Sequence, residues 1–381
     1  MQIAFPNEVG GPERRAPAVP ELVARLQAQG LTCLVQAGLG GPSGFADARY
    51  EEAGAQVVPD RQTLFSQAEI VLRIHPPNDE ETTWLRNGCI HVSLLDPFQD
   101  RSRLDRLAAR GVTAVSLQMI PRITRAQRMD VLSSQGSLAG YVAVLLAANH
   151  LNRIFPLMMT AAGTLQPARV LVIGAGVAGL QAIATAHRLG ARVQAFDTRP
   201  VVEQEVRSLG ARFIKVDLGE TGQTRQGYAR ALTPDQLRRQ QEALQKVCRE
   251  SDVIITAAQV FGRRAPLILT RSMIEELAPG TVVVDLAVEN GGNVEGIVPD
   301  QVTRVHGCEL IGPSIPPARV PAHASQMFAA NLVAWLEAWW DKKEGRLNLD
   351  LDDEILKACV LTHAGEVRFG RDADGVKEAA S

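Results

Sequence analysis

Aromatic side chains are scarce: Phe, Tyr and Trp together make up 4% of the chain. Cores must then be filled by Ala, Val, Leu and Ile, which suits helix-covered parallel sheets better than an aromatic-rich sandwich. Cysteine is also sparse. Cys33, Cys89, Cys248, Cys308 and Cys359 are odd in number, widely scattered and free of any C-x-x-C pair, which argues for a reducing compartment and against a zinc site; no metal is expected. Neither sign of charge dominates. With a formal net charge of -2 and interspersed acids and bases, bulk electrostatics attract neither nucleic acid nor an anionic membrane. Long hydrophobic runs are missing too. The longest uninterrupted apolar stretch, Tyr141 to Ala148, falls well short of the roughly 18 residues that read as a membrane helix, so no direct membrane insertion is expected. The opening MQIAFPNEVGG carries Glu8 and no basic segment followed by an apolar run, so it does not read as a secretory signal, and a cytoplasmic location is expected.

What is present is the composition of a globular protein, 46% hydrophobic and 22% charged over 381 residues, long enough for more than one domain. Short apolar runs alternate with helical stretches: Gln2 to Phe5 then Val19 to Gln29, Thr32 to Gln36, Ile70 to Ile74, and Val112 to Ser116. That rhythm predicts a parallel α/β domain. The proline-free, Ala- and Leu-rich segment from Ser133 to Arg153 predicts a long, largely buried helix. A second series follows, with strands expected at Arg169 to Ile173, Arg192 to Phe196, Arg212 to Val216, Val253 to Thr256, Thr281 to Asp285 and Glu309 to Ile311, enough for a doubly wound sheet. After the proline-rich stretch Ile311 to His323, another helix is expected from Ser325 to Trp340. The tail beyond Asp341 reads as a small peripheral element and a frayed end.

The clearest local signal is VLVIGAGVAGLQAIATAHRLGARVQAFDTR, from Val170 to Arg199. It holds a strand, Gly174-x-Gly176-x-x-Gly179, an amphipathic helix, a second strand and Asp197 at its end, the full setting of a dinucleotide-binding Rossmann unit. Gly174 permits the tight turn, Gly176 lets backbone approach a pyrophosphate, and Gly179 lets helix pack on strand; the helix N-terminus, at Val177 and Ala178, offers N–H groups to phosphates. Asp197 is expected to accept hydrogen bonds from an adenosine ribose and repel a 2′-phosphate, favouring NAD over NADP. Arg199 pulls the other way, since an arginine there can receive a 2′-phosphate. Thr198, and Ala257 just beyond the fourth strand, complete the expected nucleotide contacts. The fold expected is α/β, with two Rossmann-like domains with parallel sheets joined by a long helix. The first domain is discontinuous, residues 1–132 plus 317–381; the linking helix covers 133–157 and the NAD-binding domain 158–316.

The stretch MIPRITRAQRMDVLSSQGSLAGY, Met119 to Tyr141, resembles the signature region of the NAD(H)-binding component of proton-translocating transhydrogenases. Further blocks resemble it in the same order: FPLMMTAAGTLQPARVLVIGAGVAGLQAIATA, VVVDLAVENGGN and RVPAHASQMFAANL. Alanine dehydrogenases are related and share several blocks. The resemblance implies that Arg122, Gln127, Asp130 and Ser133 surround the nicotinamide end of the cofactor. That suits their chemistry: Arg and Asp can hold one another and a carboxamide, Ser can bond the same group, and Gln can reach a neighbouring nucleotide's ribose. By spacing alone the segment would be an ordinary loop with a satisfied ion pair. The polar segment Gly219 to Leu232 resembles the family's mobile loop, with Tyr228 as the tyrosine that covers bound nucleotide; the alternative is an insertion with an incidental tyrosine.

The resemblance also implies NADP(H) on a partner subunit, membrane-spanning partners, a homodimer, and peripheral association with the inner membrane through those partners. Two other functions stay open. An alanine dehydrogenase needs a general acid or base; where that family carries a lysine in K-V-K-E-P, this chain has Arg73-Ile74-His75-Pro76-Pro77, and LLDPF stands where a histidine belongs. His75 and His91 read as strand-end structural histidines that can titrate near neutrality. A non-catalytic NAD-binding module is the third reading.

Overall fold

A computed structural model describes residues 1–222 and 229–370. The chain forms two compact units, one of Met1–Gln135 with the segment from Pro317 onward, the other of Gly136–Pro316. Both are α/β.

In the first unit the strands Gln56–Val58, Thr32–Gln36, Gln2–Phe5, Ile70–Leu72, Ile90–Ser93 and Thr113–Ser116 lie side by side in that order, all parallel. In chain order this is 3-2-1-4-5-6, the doubly wound arrangement. Two of these strands escape the apolar-run criterion: Gln56–Val58 is very short, and Ile90–Ser93 carries His91 and Ser93 into a fully buried strand. The tail departs further from expectation. Val360–His363 pairs antiparallel with Thr113–Ser116, and Glu366–Val367 pairs with it in turn, so a segment read as peripheral is part of an eight-stranded mixed sheet. Val360, Leu361 and Thr362 are buried, and the Thr362 hydroxyl accepts from Ala114 N–H while donating to the Val112 carbonyl. Apolar burial plus a satisfied hydroxyl make that edge worth closing.

The second unit repeats the topology. Arg212–Phe213, Arg192–Phe196, Arg169–Ile173, Val253–Thr256, Val282–Asp285 and Cys308–Ile311 run parallel in that order, and Val302–Val305 adds an antiparallel edge, for seven strands. Side chains alternate between two cores, as the pleat requires. Val170, Val172, Val253 and Ile255 face Ala143, Val144 and Ala147 of one helix and Ala182, Ile183 and Ala186 of another. Leu171, Ile173 and Ile254 face Leu244, Met273 and Ile274. A two-stranded hairpin, Met158–Thr160 with Gly163–Leu165, stands outside this sheet.

The long helix runs from Val131 to His150, short of residue 157. By length and composition it could cross a membrane, which counting uninterrupted apolar residues did not reveal, because Ser, Gln and Gly dilute the run without making the helix polar. It is only part-buried rather than largely so. Its Gly140 packs against Ala178 and Ala182 of the helix Val177–Arg188, so protein covers that face.

Candidate nucleotide site

In the second unit the fingerprint turn follows from its glycines. Gly174 sits at φ +99°, and a Cβ there would lie 2.9 Å from the carbonyl carbon of Ala257 and from Ala258 N. A side chain is excluded by conformation and by space. Gly179 is excluded more sharply, its Cβ falling 1.8 Å from the Gly174 carbonyl oxygen, so helix lies directly on strand. Gly176 is the N-cap of Val177–Arg188, and a Cβ there would meet nothing within 4 Å. The first-turn N–H groups of a helix have no intrahelical acceptor, and Gly176 has no side chain to take them. Open space in front of free donors suits a pyrophosphate.

Asp197 ends the second strand with its carboxylate turned to this turn. Its Oδ2 accepts from Ala175 N–H at 2.7 Å. Arg199 does not reach outward toward a 2′-phosphate. Its backbone N–H and Nε donate to Asp197 Oδ1 at 2.8 and 2.9 Å, and its Nη2 to Oδ2 at 2.8 Å. Thr198 is half-buried, and its carbonyl accepts from the Thr221 hydroxyl at 2.7 Å. Ala257 donates its N–H to Ile173, extending the ladder to the rim of the Gly174 turn. Tyr228 lies outside the described residues.

The Ala257–Ala258 rim is fixed by residues that the motif reading left without a role. Asn293 accepts from Ala258 N–H at 3.1 Å and donates to the carbonyls of Ala258 and Pro266. Its own N–H donates to Asp285, whose other oxygen takes Thr256 Oγ1 and Ala287 N–H. Burial pushes the Asp285 carboxyl above its usual range, and those donors oppose the shift. The only signal in the sequence is two polar residues inside VVVDLAVENGGN.

In the first unit the structure brings Arg122, Asp130 and Ser133 together. Asp130 caps the start of the long helix, accepting from Ser133 N–H at 2.9 Å and from Ser133 Oγ at 2.6 Å. Arg122 Nε stands 3.9 Å from the same carboxylate. Gln127 lies on the 3-10 turn Thr124–Met129 with its side chain exposed. Asn331, from the returning segment, holds this turn: it accepts from Ser134 Oγ at 2.6 Å and donates to the Arg128 carbonyl at 2.8 Å.

His75 is not a free acid or base. Its Nε2 is 2.7 Å from Glu13, which also takes Nε and Nη2 of Arg15. Burial opposes ionisation, but bonds from Arg15 and His75 hold Glu13 down to about 2. Arg15 spends its remaining reach on Gln135. His91 is central in its strand, not at an end, and burial, with Arg73 adding to it, pushes its pKa down to about 3. It does not titrate near neutrality.

Comparison with known proteins gives the setting for this arrangement. The family model "Alanine dehydrogenase/PNT, N-terminal domain" matches residues 4–139, and "Alanine dehydrogenase/PNT, C-terminal domain" matches residues 143–370. The chain belongs to the alanine dehydrogenase/PNT family. Within that family it resembles an NAD(P) transhydrogenase subunit alpha chain of Rhodospirillum rubrum, 39% identical over 96% of this chain and 97% of that protein. The crystal structure of transhydrogenase from Sinorhizobium meliloti superposes with a TM-score of 0.86 at 40% identity, covering 96% of this chain and all of the other. An L-alanine dehydrogenase structure is more distant, at TM-score 0.79 and 25% identity over 96% of each chain. The chain is thus an enzyme subunit on the transhydrogenase side of the alanine dehydrogenase/PNT family, and the family's nicotinamide nucleotide chemistry fits the glycine cradle around Gly176.

Proposed function

We propose that this chain is the NAD(H)-binding subunit of a proton-translocating transhydrogenase, exchanging hydride directly between NAD(H) held here and NADP(H) held on a partner subunit. The observation that carries this reading is the internal satisfaction of the His75 cluster. A 2-oxo acid substrate calls for a cation to hold its carboxylate and an acid to protonate the product. Here Arg15 is buried against Glu13 and Gln135, and His75 is bonded to the same Glu13. Hydride transfer between two nicotinamide rings needs neither group, only close approach and alignment.

When nucleotide is bound, its nicotinamide supplies the hydride chemistry. The chain's own residues bind and orient. First-turn N–H groups at Val177 and Ala178 face the phosphates, and Asp197 takes the adenosine ribose and disfavours a 2′-phosphate. Arg122, Asp130 and Ser133 hold the carboxamide, and the exposed Gln127 reaches toward the ribose of the second nucleotide. The subunit works as a homodimer, on the cytoplasmic side, attached to the inner membrane through membrane-spanning and NADP(H)-binding partners. The deciding experiment is hydride exchange between NADH and an NADP analogue with and without an NADP(H)-binding partner. Transfer only in its presence is expected; robust NADH-dependent amination of pyruvate by the isolated chain would overturn the reading in favour of alanine dehydrogenase.

A further inference from the structure

The carboxylate of Asp197 already has a full set of donors. A carboxylate offers about four acceptor positions, and four N–H contacts meet it: Ala175 N and Arg199 Nη2 on Oδ2, Arg199 N and Arg199 Nε on Oδ1. Two are backbone donors that fix the carboxylate to the fingerprint turn and to the end of its own strand. The other two are the guanidinium fork of Arg199, lying side-on. Together they leave the Asp197 side chain 5% exposed and that of Arg199 12% exposed. A ribose diol brings two hydroxyl donors and needs two acceptor positions, which is what the fork holds.

We infer that Arg199 is an internal competitor for the ribose subsite: its fork occupies Asp197 in the free protein and must leave before a ribose diol can bind. The inference rests on Asp197 being the ribose acceptor of the proposed function. The exchange replaces two charge-assisted bonds of the fork with two hydroxyl bonds, so part of the intrinsic affinity for the diol is lost to the displacement. The released guanidinium keeps its positive charge close to Glu205, whose carboxylate already favours that charge. A nucleotide with a 2′-phosphate behaves oppositely. Phosphate oxygens cannot donate to Asp197, and they gain from a cation that offsets the carboxylate. Arg199 therefore sets nucleotide discrimination by lowering affinity for the diol while softening repulsion of the 2′-phosphate.

The two effects have opposite signs, which makes the test sharp. Binding of NADH and of NADPH is measured by titration calorimetry on the full chain for wild type, Arg199→Ala and Arg199→Gln, with thermal melting to confirm folding. Both variants should bind NADH about tenfold more tightly, the equivalent of about one net hydrogen bond, and NADPH more weakly. Arg199→Gln keeps side-chain bulk over the carboxylate, so it serves if the alanine variant folds poorly. Unchanged or weaker NADH binding in folded variants overturns the inference and leaves the NAD(H) reading standing. Wild type that binds no NADH removes both.

Discussion

A methyl group on Gly140 would lie 2.0 Å from the carbonyl oxygen of Ala178 and 3.0 Å from Ala182 N, so the long helix touches the fingerprint helix backbone to backbone. One turn earlier, Gly136 has nothing closer than 3.9 Å. The two glycines predict opposite outcomes. Gly140→Ala forces backbone apart, and overpacking of that kind costs about 3 kcal/mol or more; Ala178 is in the first turn of the fingerprint helix, so NADH binding should weaken as well. Gly136→Ala adds an ordinary contact and gains helix propensity of up to about 1 kcal/mol, so its melting temperature should hold or rise. Equal melting temperatures for the two variants would show that the helices can slide apart freely.

What the sequence revealed and what it hid follow from the range of the interactions. The turn from Gly174 to Asp197 is local, its glycines and its acid lying within one strand-helix-strand unit, so residue types and spacing suffice to place it. The placement of Val360–His363 depends on pairing with Thr113–Ser116, far away in sequence, and nothing in CVLTH distinguishes a buried edge strand from a loop. His91 and Ser93 hid their strand because polar residues at buried positions break the apolar pattern. Arg199 was visible as a charge near the nucleotide, but its return onto Asp197 depends on the turn geometry after the second strand. Asn331 and Asn293 were hidden for a related reason: each holds a loop far from it in sequence, and an asparagine in a helix or loop carries no periodic signal.

Asp197→Ala should weaken NADH binding by roughly 1–3 kcal/mol, the range for leaving polar groups without partners, and reduce discrimination against NADPH. It should also lower stability, because Ala175 N–H loses its acceptor and the Arg199 fork its carboxylate. Fluorescence titration with both nucleotides gives the comparison. NADH affinity equal to wild type would remove Asp197 from the ribose subsite.

His91 makes stability depend on pH. In the unfolded chain a histidine takes up its proton near pH 6.5, whereas folded His91 resists until about pH 3 because burial, and then Arg73, disfavour its charge, with Glu81 pulling the other way. Between those values the unfolded state binds one more proton, so stability falls as pH falls, by about 1.4 kcal/mol per unit. From pH 6.5 to 5 the loss is about 2 kcal/mol. Glu13 enters only lower, since its stabilising contribution is lost as pH falls from 4.5 toward about 2. Both His91 ring nitrogens lack a hydrogen-bond partner among the described residues, so His91→Leu removes no bond. Urea midpoints at pH 6.5 and 5 should converge for the variant and separate for wild type. Parallel behaviour of the two proteins would mean that His91 is solvated.

Gln127 separates binding from transfer. It projects from the Thr124–Met129 turn into solvent, while Asn331 holds that turn through the Arg128 carbonyl and the adjoining Ser134 hydroxyl. The turn is therefore fixed without help from the glutamine side chain, and Gln127→Ala should leave stability unchanged. Under the proposed function its amide contacts the second nucleotide, not the one bound here, so NADH affinity should also stay near wild type. The rate of hydride exchange with the NADP(H)-binding partner present should fall, because one positioning contact made between the two nucleotides is lost. A tenfold loss corresponds to about 1.4 kcal/mol, the size of one neutral hydrogen bond plus slight misalignment. Single-turnover transfer measured beside NADH titration resolves the two quantities. If affinity and rate drop together, Gln127 belongs to the NADH site itself; if neither moves, the exposed amide has no part in the reaction, and the alignment must come from Arg122, Asp130 and Ser133.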